Sequence, residues 1–390
     1  MISLSRLLVW LGVFTLAVGT NPSFAQIVSV TCTDSATSDT PALNNAILNA
    51  YTAYSPSGYN TNSSAPGPQI QIHGFCSVNA TIVLYGGMSY VGDSKTGTVI
   101  QQAAGANLAA VVADYSWTAS GDAYGDNAMT VAHLTIDGNK ANNSSGVGLV
   151  VRSWDSTFED LQIQNTPGDG LLFSNAAKDS TLLASTSNLV NNHFSKLFIQ
   201  NIGGHGFHVS DDGSSGNHLT DGWLEDTAIS NPADSAIYMD NSAGWVVRGN
   251  HVYAVPQHAI EAGRCFGTTI DDNYIENFGV GGSSGTSYFG IQCAIESGPG
   301  SIISNNKIFQ IGGQGSGNYY FIDTKLVSGT GYVNVLGNLL TGPGTNDTGL
   351  YYSNPVGAGT MLNYVSASNQ LTGMTTTLQH DTYTTAVTSY

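Results

Sequence analysis

The chain has 390 residues, with 10 Lys and Arg set against 27 Asp and Glu, and a net charge of −17. That balance leaves no basic footprint for nucleic acid or for an anionic membrane surface. With 47 Gly and only 9% charged residues, the composition points to many short strands joined by tight turns, not to a helical or disordered chain.

The chain opens with Arg6, an apolar stretch from Leu7 to Val18, and the small-residue site Ser23-Phe24-Ala25. This is the pattern of a secretory signal peptide over residues 1–25. Export to the extracellular or periplasmic space follows as the expectation. No later segment approaches the ~20 apolar residues of a membrane span. Four cysteines in an exported chain favour disulfides. They allow three connectivities; pairing within each part of the chain favours Cys32–Cys76 and Cys265–Cys293.

After the leader, Asp39-Thr40-Pro41 reads as the start of a helix carrying Leu43, Ala46, Ile47 and Ala50 on one face. Such a helix can cover the open end of a stack of strands. Residues 54–68 read as a polar surface loop. Residues 26–128 are then an N-terminal cap and first coils, 129–360 a series of rungs, and 361–390 a Thr-rich tail that pairs weakly over the last rung.

From residue 129 self-similarity dominates. Segments such as TVAHLTIDGN (130–139), TFEDLQIQNT (157–166), HFSKLFIQNI (193–202) and WLEDTAISNP (223–232) align one under another. They place Ile136, Ile163, Ile199, Ile229, Val252, Ile275, Ile308 and Leu340 on one buried column. Asn250, Asn273, Asn306 and Asn338 fall two places earlier. Asn accepts the left-handed backbone of a sharp bend and can hydrogen-bond to its equivalent in the next rung. A second strand follows each of these, and Leu149, Leu171, Phe207, Ile237, Ile260, Ile291 and Leu350 form a second buried column. Two columns at one irregular period mean parallel coils, since a propeller or sandwich needs antiparallel pairs. The fold expected is all-β: a right-handed parallel β-helix, or solenoid, with an N-terminal capping helix.

The segments TDSATSDTPALNNAI (33–47), IQIHGFCSVNATIVLYGGMSYVGDS (70–94) and LTIDGNKANNSSGVGL (134–149) resemble the opening of the pectate-lyase-like superfamily. The resemblance covers most of the chain at the level of fold. It implies a substrate groove along the sheet made by the second strand and the turn before it, and a carbohydrate polymer as partner. Members of that superfamily include lyases, hydrolases, epimerases and non-catalytic proteins, so fold does not fix the reaction.

On that sheet the outward position one past the buried column reads Leu172, His208, Tyr238, Glu261 and Gln292. The turn position two before it reads Asp169, His205, Ser235, His258 and Phe289. Asp240 and Arg264 lie at the strand ends. The catalytic candidates are His208, Tyr238, Glu261, Asp240 and Arg264; the substrate-binding candidates are His205, His258, Asp169 and Gln292. Polar ladders also occur on any solvated β-helix face, which is the bland alternative.

Two chemistries suit these residue types. In β-elimination from a uronate, Tyr238 or His208 transfers the proton while Arg264 or His258 neutralises the substrate carboxylate. In hydrolysis, Glu261 and Asp240 divide the acid and base roles. Elimination is the leading expectation, making the chain a polysaccharide lyase. A non-catalytic glycan-binding protein is a third possibility, and it predicts groove residues that satisfy one another. No metal site is assigned, although Glu225, Asp226 and Asp271 leave Ca2+ open. Their strip, with Glu159, Asp160, Lys196, Arg248 and Asp272, reads first as cross-strand ion pairs. A homo-oligomer also stays open.

Overall fold

The computed structural model describes residues 26–54 and 67–387, apart from 212, 214, 215, 217 and 242. The expected leader and most of the polar loop at 54–68 lie outside the described residues. Across the rest the chain winds as a parallel solenoid with three faces. The first face holds strands such as Thr157–Glu159, the second Gln162–Gln164, and the third Leu171–Ser174. Strand Gln69–Val78 runs through the first two faces and joins them into one 23-stranded sheet, while the third face is a separate 11-stranded sheet. Each strand pairs in parallel with the equivalent strand of the next coil. Parallel pairing of this kind needs a crossover between neighbours, and here the other two faces supply it.

Both buried columns are present in register. Ile136, Ile163, Ile199, Ile229, Val252, Ile275, Ile308 and Leu340 are successive Cα partners on the second face. Leu149, Leu171, Phe207, Ile237, Ile260 and Ile291 do the same on the third. One rung was not anticipated: strand Asn318–Leu326 places Ile322 between Ile291 and Leu350. Nearly all of these side chains are fully buried, and each such aliphatic contributes about 1.5–3 kcal/mol. Phe158, Phe194, Phe207 and Trp245 pack face or edge at 5.0–6.2 Å in the middle of the coil. The Trp245 indole N–H donates to the Leu219 carbonyl.

The Asn ladder forms as expected, with one correction. Asn250, Asn273, Asn306 and Asn338 each donate Nδ2 to Oδ1 of the next Asn at 2.9–3.0 Å, ending on Asn369. The second amide proton goes to a carbonyl of the preceding coil. The left-handed residue is the one before each Asn: Gly249, Asp272, Asn305 and Gly337, with φ of 68°, 51°, 57° and 66°. The bend sits at the exposed corner, and the amide turns inward from it.

Helix α1 spans Ala36–Tyr54 and buries Leu43, Ile47 and Ala50 against the first coil. It begins before Asp39, because that carboxylate is buried in the first turn. There it accepts backbone N–H groups from Thr33, Ser35 and Ser77. At the other end, strands Met361–Ala367, Gln370–Thr372, Thr376–His380 and Thr384–Ala386 add a further in-register coil. Disulfides Cys32–Cys76 and Cys265–Cys293 are both formed, a chemistry of oxidising compartments. Among the described residues no helix is long and apolar enough to cross a membrane.

Candidate functional site

Outward positions of the third face align as Leu172, His208, Tyr238, Glu261, Gln292, Asp323 and Tyr351, one per coil. Neighbours in such a column are about 4.8 Å apart. The fold therefore stacks the candidate groups into a line along the solenoid axis. The turn entering each strand adds a second line, and there Asp169, His205 and His258 approach the first.

His208 is the best-anchored member. Its Nδ1 lies 2.7 Å from Asp169 Oδ2, and the other Asp169 oxygen accepts the His205 backbone N–H at 2.8 Å. Asp169 therefore orients the two histidines of the next coil. His208 Nε2 is 3.8 Å from Asp240 Oδ2, an ion-pair contact too long for a hydrogen bond. Burial disfavours the imidazolium, yet the carboxylates of Asp169 and Asp240 outweigh it and lift the His208 pKa to about 9. Asp169 is held below its usual range: burial works against ionisation, but His208 and the His205 N–H prevail.

The other two histidines go the opposite way. Burial pushes His258 down to about 4, with His205 adding to the effect and Asp234 opposing it. His258 is therefore neutral near pH 7 and does not supply the positive charge expected of it for a substrate carboxylate. His205 is also lowered, by burial first, against Asp169 and Asp234. Its ring stacks on Tyr238 at 4.5 Å and its Nε2 lies 3.8 Å from Asp234.

Around Tyr238 three carboxyl groups converge: Asp240 two residues on, Glu261 in the next coil, and Asp234 four residues earlier in the same turn. Burial and then Asp240 hold the Tyr238 phenol well above its ordinary value, so it stays protonated. Glu261 is raised by burial, Asp234 and Asp240, with Lys325 opposing. His258 Nε2 is 3.7 Å from Glu261 Oε2. Among the described residues, His205 Nδ1 and His208 Nε2 are buried without a hydrogen-bond partner. A merely decorative polar face satisfies such atoms.

Two predicted residues sit apart from this cluster. Register shifts between Ala262 and Cys265, and Arg264 turns away to bond Glu296 at 2.6 Å and Asn241 at 3.3 Å, over the Phe266 ring. Gln292 is one coil on and donates to Asp323 at 2.8 Å. Asp234 and Lys325 act on the centre but were not singled out from sequence. The signal for Asp234 was present, since it starts the DSAIYMD strand segment.

The acidic strip at the corner of the first and second faces behaves as cross-strand pairing. Glu225 meets Arg248 at 2.6 Å, Asp160 takes Lys95 and His133, and Asp271 accepts from Ser304 and Asn305. Among the described residues no group of three or more His, Cys, Asp or Glu is arranged to hold a metal ion.

No family model and no curated protein matches the sequence. Solved structures do. The A-module of mannuronan C-5 epimerase AlgE6 of Azotobacter vinelandii aligns with a TM-score of 0.52 and 14% identity, covering 90% of this chain and 95% of that one. The catalytic domain of a GH87 alpha-1,3-glucanase in complex with nigerose aligns at 0.50 and 15%, covering 95% and 69%. An alginate lyase from Paenibacillus sp. aligns at 0.49 and 13%, covering 92% and 99%. At these identities the likeness is one of fold: the chain is a right-handed parallel β-helix.

Proposed function

We propose that this β-helix is an exported polysaccharide-cleaving enzyme, and that it cleaves by hydrolysis at the Tyr238–Glu261 rungs. The observation that carries the reading is the convergence of Asp234, Asp240 and Glu261 about Tyr238, with Glu261 raised by burial first and then by the other two. Separating the proton affinities of neighbouring carboxyls is how one site provides both an acid and a base. Glu261, whose hold on its proton is strengthened by burial and by its acidic neighbours, is the general acid to the leaving glycosidic oxygen. Asp240, beside the His208 imidazolium, is the carboxylate that activates water or meets the sugar carbon. Tyr238 remains a phenol and donates a hydrogen bond to the bound sugar. Asp169 acts through His208, as a positioning residue.

Sequence reasoning put elimination first. Hydrolysis moves ahead because three carboxylates, Asp169, Asp234 and Asp240, crowd the centre and oppose a polyanionic chain. Elimination is kept as a second reading on one observation: the protonated His208 and Tyr238 are adjacent, with ring centroids 5.2 Å apart. Together they can serve a uronate carboxylate and its leaving oxygen. The same coil carries an epimerase of mannuronan and an alpha-1,3-glucanase, so glycan chemistry is at home on it. The disulfides suit a place of work outside the reducing cytosol.

The test is incubation of the purified protein with neutral and acidic polysaccharides, reading new reducing ends together with ultraviolet absorbance. Reducing ends without absorbance, abolished in Glu261→Gln, are expected. An unsaturated, absorbing uronide product transfers the assignment to elimination. Cleavage that persists undiminished in Glu261→Gln removes the site.

A further inference from the structure

Beyond Glu261 the third face continues into a hollow that the acid-base chemistry does not use. Phe289, Tyr320 and Tyr351 form one side of it, with ring centroids 5.7 and 5.3 Å apart and planes within 30° of parallel. Asp323 forms the floor. It occupies an outward position in the column, yet is only 3% exposed, because Gln292 Nε2 donates to one oxygen at 2.8 Å and Ser353 Oγ to the other at 2.9 Å. Ser287, Lys325, Pro355 and Asp381 complete the lining of a space of about 220 Å³. The last coil contributes Asp381, which accepts the Tyr351 hydroxyl at 2.9 Å. The hollow adjoins the centre directly: Phe289 donates its backbone N–H to His258 Nδ1 and lies 4.9 Å from that ring.

We infer that this hollow is a binding subsite for one neutral sugar unit of the glycan, about three coils from Tyr238. The inference rests on the function proposed above. An apolar wall beside a fixed carboxyl, an amide and an ammonium is the equipment for a pyranose, whose hydroxyls need several donors and acceptors at once. Charge selects the class. One cation, Lys325, faces two carboxyls, Asp323 and Asp381, so the hollow offers no surplus positive charge to a uronate. Distance sets the role: two coil steps of about 4.8 Å from Glu261 to Asp323 place the sugar about 10 Å from the general acid. That is far enough to grip the chain without touching the bond being cleaved. The subsite therefore fixes where along the chain cleavage falls.

The experiment separates this subsite from the catalytic proposal by reading binding apart from cleavage. The full chain, Glu261→Gln, Tyr320→Ala and Asp323→Asn are run by affinity electrophoresis in gels holding dextran, laminarin, galactan or polygalacturonate. Retardation by a neutral polymer is expected for the full chain and for Glu261→Gln. Tyr320→Ala should bind about tenfold more weakly, and Tyr320→Phe, which keeps the wall, should bind as the full chain does. Asp323→Asn should shift the product lengths released from a labelled oligosaccharide. Unweakened binding by Tyr320→Ala, binding to polygalacturonate alone, or retardation by none of the polymers would each overturn the subsite. Binding lost in Tyr320→Ala, in a full chain that cleaves nothing, leaves the subsite standing and removes the hydrolase.

Discussion

Two ladders run down this solenoid, and they are built to opposite rules. At the corner between the first and second faces one residue type repeats: Asn250, Asn273, Asn306, Asn338 and Asn369, each amide bonded to the next. On the outward third face the residue changes at every coil: His208, Tyr238, Glu261, Gln292, Asp323, Tyr351. The first ladder is closed, with all its donors and acceptors satisfied inside the protein, and it can only stabilise. The second contains pairs of unlike proton affinity and ring nitrogens without partners. A solenoid gives every position a neighbour of the same kind one coil away. Repetition at such a position makes structure, and variety at it makes a site.

That contrast is broken most sharply by removing one member of each ladder. Glu261→Gln should lower the turnover rate by about 10²–10⁴, the usual loss on removing a general acid, with no change in melting temperature. Asn306→Ala should do the reverse. It deletes the acceptor for the Asn273 backbone and side-chain N–H groups and the donor to Ile270 and Asn338. The two Asn273 donors are left buried and unpaired at about 1–3 kcal/mol each, so a loss of about 2–6 kcal/mol by denaturant titration is expected. Turnover of the folded fraction should be unchanged. If Asn306→Ala impairs catalysis as much as stability, the two ladders are not independent.

The repeating ladder was legible in the sequence because repetition is what sequence comparison detects. The buried columns, the Asn positions and the fold follow from period alone. The rung holding Ile322 was missed because Phe321 stands just before the buried position, where the neighbouring rungs have Gly290 and Gly349. The last coil reads as a tail because its strands are Thr-rich and mostly exposed. The varied ladder was legible only in part. Register alone was enough to line up His208, Tyr238 and Glu261. It could not show that Asp169 reaches across a coil to hold both His205 and His208, since that depends on where a turn side chain points. Nor could alternation count through the irregularity after Ala262, which sends Arg264 to Glu296.

A smaller effect tests how Asp169 works. If it positions and charges His208, Asp169→Asn should reduce turnover about tenfold and lower the pH at which the His208 ring loses its proton, about 9 in the unaltered protein, as read by NMR titration of that ring. Stability should follow the same groups. The folded value for His208 lies above the ordinary 6.5 of a histidine, so its contribution is complete below about pH 6.5 and is lost as pH rises through about 9. Asp169 is depressed from 3.8, so its contribution is complete above that value and is lost as pH falls below it. Melting temperature against pH should thus show a plateau between those limits that Asp169→Asn flattens. An alkaline limb that does not move in the variant means that Asp169 merely packs.

The smallest effect is expected at the corner ion pair, where Arg248 and Glu225 meet at 2.6 Å within a coil or so of the Asn ladder. Arg248 is 56% exposed at its side chain, so water and salt screen the pair and holding a long side chain in place offsets part of the attraction. Arg248→Ala should change stability by about 0–1 kcal/mol, less at high salt. The position is instructive because it shares a corner with the buried amides yet points outward. A loss as large as that of Asn306→Ala would show that the corner is held from its charged outer side, and the closed inner ladder would then not be what sustains the coil.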